Sequence, residues 1–109
     1  MPIDVSQIVT QMLGKAAQVF AENWDDVKDY ASQEFTDFSN SIRRIDEMYS
    51  QGKITESRAK SLVQMQKDSM IAVLAAIKGI ELLTVEEAIN AAISVVREAV
   101  NKAIGFALL

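Results

Sequence analysis

The stretch that decides the fold is VSQIVTQMLGKAAQVFAENWDDVKDYASQEFTDFSNSIRRIDEMY, running from Val5 to Tyr49. Its apolar positions are Val5, Val9, Met12, Ala16, Phe20, Trp24, Val27, Ala31, Phe35, Phe38, Ile42, Ile45 and Tyr49. Steps of three and four put these side chains on one face of an α-helix. Val5, Ala16, Val27, Phe38 and Tyr49 recur every eleven residues. Three turns per eleven residues is about 3.67 per turn, close to an unstrained helix and unlike a heptad coiled coil. The stripe crosses residue 23 without a phase slip and meets no glycine or proline there. One continuous helix over 4–50, roughly 70 Å long at the standard rise, is therefore expected. Asn23, followed by Asp25 and Asp26, is nevertheless a helix-start signal, because acids favour the positive end of the helix dipole. A break at Asn23 is the alternative.

Three further start signals flank this stretch. Asp4 with Gln7 has the spacing of a capping box, and Ile3 with Ile8 the spacing of a hydrophobic staple over it. Thr55 precedes Glu56. Thr84 with Glu87 is the clearest box, T-x-x-E ahead of an apolar run. The plainest turn is Ser50-Gln51-Gly52-Lys53, with Gly52 free to take the left-handed conformation that closes a helix. Together these predict helices over 4–50, 55–82 and 85–107. The last two form an expected hairpin in which Gly79 packs beside Ala88 and Ala75 beside Ala92, with a flexible hinge at Gly79 as the alternative.

Composition agrees. Of 109 residues 50% are hydrophobic but only 6% aromatic, so the apolar mass is aliphatic. One proline and four glycines are too few for the turns of an all-β domain. The single proline, Pro2, is expected to precede all regular structure. The length suits one domain, 1–109. The fold class expected is an all-α helical bundle. It has three helices with a long first one, or four if that helix breaks near Asn23, and it is expected to be oligomeric.

Cysteine and histidine are both absent. Thiolate nucleophiles, zinc–thiolate sites and the commonest general base go with them, so neither enzymatic activity nor a cofactor or metal is expected. A net charge of −4 disfavours nucleic acid. The Met1-Pro2-Ile3-Asp4 start lacks the pattern of a secretory signal, and the longest near-continuous apolar run, Met70 to Ile77, is too short to span a bilayer. A cytoplasmic location is expected.

The charge is uneven. Residues 1–40 hold two lysines and seven acids, whereas residues 41–80 hold seven basic residues and four acids. The acidic ridge Glu22, Asp26, Asp29 and Asp37 lies along one helix and does not converge as a hard-cation site requires. It is expected to face solvent or to pair with lysines, Asp37 with Lys67 and Asp26 with Lys78. Arg43, Arg44, Lys53, Arg58 and Lys60 surround the Gly52 turn and read as a solvated helix end.

The function expected is helix–helix self-assembly or binding of a protein partner. A second helix reaching back from Gly52 covers only the rear half of a long first helix. Its front half then leaves Ile3, Val5, Ile8, Val9, Met12, Leu13 and Phe20 as an apolar strip, the candidate interface of a homo-oligomer. The alternative is attachment to a membrane or lipid surface through the widely apolar third helix. Against that stand its few cations, Arg97 and Lys102.

Overall fold

The computed structural model describes residues 3–109, so the expectations for Met1 and Pro2 lie outside it. The described chain is 83% helical and contains no strand. Helix α1 spans Val5–Phe20, a single 3₁₀ turn covers Ala21–Asn23, and α2 spans Trp24–Ser50. Helices α3, Glu56–Ala75, and α4, Leu82–Ile104, follow.

The all-α class is as expected, and of its two variants the structure adopts the one with four packed helices. Helical conformation does run almost without interruption from Val5 to Ser50, but not along one axis. A straight helix of that length would reach roughly 70 Å, whereas the whole molecule measures 43 × 22 × 18 Å. The chain turns at Ala21, whose φ of 49° and ψ of −115° no helical residue adopts. Helix α1 is thereby laid against both α2 and α4, while α3 packs on α2 and α4. The ring α1–α2–α3–α4 encloses the core, with neighbours antiparallel in the manner of an up-down-up-down bundle. Phe20, Phe35, Phe38, Met12, Ile42, Met70, Leu74 and Ile89 are its largest fully buried side chains.

Local chemistry explains most of the remaining boundaries. The Asp4 carboxylate accepts the Gln7 amide at 3.1 Å, capping α1. Ile3 and Ile8, the expected staple, are both buried. Helix α2 closes on Gly52 at φ 70°. The Gly52 amide donates to Tyr49 at 3.0 Å and the Lys53 amide to Met48 at 2.9 Å, so two end carbonyls are satisfied at once. Thr55 Oγ1 then accepts the Arg58 amide at 3.1 Å to start α3.

The α3–α4 corner departs from expectation. Helix α3 ends at Ala75 rather than near 82, and α4 begins at Leu82 rather than 85. Thr84 lies inside α4 and caps nothing; the residue at the cap position is Glu81, extended at φ −77° and ψ 142°. Burial decides this corner. Ile80 inserts into the core, and Val85, Ala88 and Ile89 must face inwards one turn later, which starts the helix before the local Thr84–Glu87 pattern would. Gly79 is likewise not a packing glycine: a Cβ added there would meet nothing within 4 Å. It sits at φ 88°, where the turn needs a left-handed residue.

Beyond Ile104 the chain folds back. Gly105 closes α4 at φ 96°, and the Phe106 ring lies 4.8 Å from that of Tyr49. The side chain of Asn101 accepts the Leu109 amide at 2.8 Å.

Candidate interaction surface

The turn at Ala21 changes the surroundings of the strip expected to form an interface. Met12 is 0% exposed, and Ile3, Ile8 and Phe20 are also buried, all within the chain's own core. Val5, Val9 and Leu13 are half-buried against it. The geometric premise of an unpartnered front half thus does not hold for the closed chain, because α1 finds its partners in α2 and α4.

The charged clusters stay on the surface. The one ion pair among the described residues is Lys28 with Asp25, 3.8 Å apart on the exposed side of one helix. The expected pairs Asp37–Lys67 and Asp26–Lys78 do not form; Asp37 instead accepts from Gln33 at 3.1 Å. Helices α2 and α3 meet through apolar side chains, and charges outside that seam have no need to converge. Among the described residues no three acidic side chains gather to hold a metal ion.

What the sequence did not bring forward is the second face of α3. Its core face carries Ala59, Val63, Met70 and Leu74. A separate line at helical spacing, Leu62, Met65, Ser69, Ala72, Val73 and Ala76, runs along its flank. Met65 is 64% exposed and Val73 38%; Ser69, Ala72 and Ala76 are exposed too. The signal lies in the steps of three and four between Leu62, Met65, Ser69, Ala72 and Val73.

This flank borders a groove against α2. Ser41, Arg44, Ile45 and Met48 from α2 and Leu62, Met65 and Gln66 from α3 enclose a cavity of about 140 Å³. Arg44 donates to Ser41 Oγ at 3.1 Å, which holds the guanidinium along the rim. Continuing the helical spacing of Met48, Arg44 and Ser41 along α2 leads to Asp37, Glu34 and Tyr30, the last an exposed aromatic. The Glu34 carboxyl is held above its ordinary pKa of 4.5 by partial burial and by the charge of Asp37. The α2 rim thus carries the cation Arg44 towards Gly52 and the acids Asp37 and Glu34 towards the other end of the bundle.

A second cavity of about 240 Å³ opens between the start of α1 and the end of α4, with Ile3, Gln7, Ile8, Val100 and Ala103 among its lining. No family model, curated protein or solved structure matches the chain.

Proposed function

We propose that this is a non-enzymatic, cytoplasmic helical-bundle protein that acts by helix–helix association, and that its partner is a second copy of the same chain. The observation that carries the proposal is the exposed apolar flank of α3. Leu62, half-buried against the core, anchors this line, but a closed bundle that already buries its core has no folding use for the exposed Met65, Val73 and three small residues beside it, and such lines mark contact surfaces. Methionine suits the role because its flexible side chain fits irregular surfaces.

Charge selects a second copy. An antiparallel two-fold contact brings the Arg44 end of one α2 rim against the Asp37–Glu34 stretch of the other, and the reverse. A neighbouring cation would also relieve the unfavourable pairing of Glu34 with Asp37. The lipid alternative has less support. Most of the apolar surface of α4 on which it rested lies in the core, from Val85 to Ile104, leaving Leu82, Leu83 and Val95 exposed with no cation cluster beside them, and among the described residues no helix is long and apolar enough to cross a membrane.

Light scattering tests the proposal. The wild type is expected to be a dimer at micromolar concentration. Met65→Lys with Val73→Lys should give a monomer of unchanged helix content, because both side chains are already partly in water. Arg44→Glu should weaken the dimer, and adding Asp37→Arg should restore it. A wild type that stays monomeric at millimolar concentration refutes the proposal.

A further inference from the structure

The Ala21 corner combines four observations. First, Ala21 is the one non-glycine residue at positive φ among the described residues, in a region that L side chains rarely adopt. Second, Phe20, Asn23 and Trp24 around it are already helical, at φ −69° and ψ −26°, −83° and −4°, and −57° and −41°. Rotation about Ala21 is thus the main change separating the corner from an uninterrupted helix. Third, nothing local enforces a stop, since the Asn23 side chain makes no capping bond and Ala21 and Glu22 are good helix formers. Fourth, Phe20 and Trp24 stack at 6.2 Å across the corner, in keeping with a stripe that runs through it in phase.

We infer that α1 is an exchangeable element. When Ala21 relaxes into the helical region, α1 and α2 join into one helix from Val5 to Ser50. Helix α1 leaves its own bundle and settles in the equivalent place on a second copy, against that copy's α4 and α2. Its buried side chains Ile8, Met12, Ala16 and Phe20 regain the same surroundings between chains that they have within one. The acceptor surface needs no new complementarity, because α1 already fills it in the closed chain. Two copies trading α1 in this way form a closed, elongated dimer. Residues 3–20 would then form the contact between chains, by exchange and not by display on the surface.

This exchange is independent of the α2–α3 surface, and the experiment separates the two. Refolding at high concentration should yield a fraction of elongated dimer, recognised by small-angle scattering as longer than the 43 Å of the closed chain. Ala21→Val, which disfavours positive φ but tolerates a helix, should raise that fraction at least tenfold. Ala21→Gly should lower it by a similar factor. All of these are made in the Met65→Lys, Val73→Lys background, which removes the surface contact. The decisive measurement co-refolds a chain carrying Gln11→Cys with a chain carrying Ala99→Cys, two positions that line the α1–α4 cavity. Exchange predicts an interchain disulfide between the two different chains. A dimer without that crosslink overturns the exchange. So does a dimer fraction that does not fall with Ala21→Gly, a criterion that stands even if Ala21→Val fails to fold.

Discussion

The corner at Gly52 and the corner at Ala21 do the same job, reversing the chain between two antiparallel helices, with opposite means. At Gly52 a glycine takes φ 70°, two amides close on the last carbonyls of α2, and Thr55 caps the helix that follows. At Ala21 an alanine takes φ 49°, with no side-chain cap on the helix that follows. The first corner is dictated by its own residues. The second is imposed from a distance, by the burial of Met12, Ala16 and Phe20 against α2 and α4. Local preference and tertiary packing agree at one and conflict at the other, and conflict of that kind marks a place where a second structure lies close in energy.

The largest effect should come from removing the packing that holds the Ala21 corner. Met12→Lys places a charge at a fully buried position with no acid beside it in the stripe, and should cost more than about 3 kcal/mol. Thermal unfolding followed by circular dichroism would show it. A variant as stable as the wild type would mean that α1 is not docked, and the contrast between the corners would collapse. The next effect should come from the other corner. Gly52→Val forces a β-branched residue into left-handed backbone and should cost about 2 kcal/mol, read from urea titration. Gly79→Val, at φ 88°, should behave alike, for strain and not for crowding.

These corners also divide what the sequence reveals from what it hides. The Asp4, Gly52 and Thr55 signals are local: each acts through hydrogen bonds that span three to five residues, so the pattern and the structure coincide. The apolar stripe named the residues of α1 and α2 that would be buried but not what would bury them. A stripe in phase through residue 23 is compatible with one helix and with two, and only the available surface of α4 decides between them. Thr84 failed for the related reason that burial of Ile80 outweighs a cap worth about 1 kcal/mol. The flank of α3 was legible in the spacing of Leu62, Met65 and Ser69. It was hidden because two apolar lines on one helix blur each other's periodicity.

The third expected effect compares the two helix starts directly. Thr55→Ala removes the acceptor of the Arg58 amide and should destabilise by about 1 kcal/mol. Asn23→Ala removes no capping bond and should change stability by less than about 0.5 kcal/mol. Equal losses at the two positions, measured by the same urea titration, would show that Asn23 caps α2 in solution and that the second corner is locally encoded after all.

The smallest effect is a gain, at Ala21 itself. A non-glycine residue in so sparsely populated a region costs about 1–3 kcal/mol. Ala21→Gly removes that cost but enlarges the conformational freedom of the unfolded chain, which returns about 0.5–1 kcal/mol of it. The balance should stabilise the closed monomer by about 0.5–1 kcal/mol, raising its melting temperature by a few degrees. Gly52→Ala provides the mirror image, since it introduces at one corner the strain that Ala21→Gly relieves at the other. The two substitutions should therefore shift stability in opposite directions. If Ala21→Gly instead destabilises the protein, the alanine is comfortable where it stands, the corners differ only in composition, and the conflict that makes α1 exchangeable is absent.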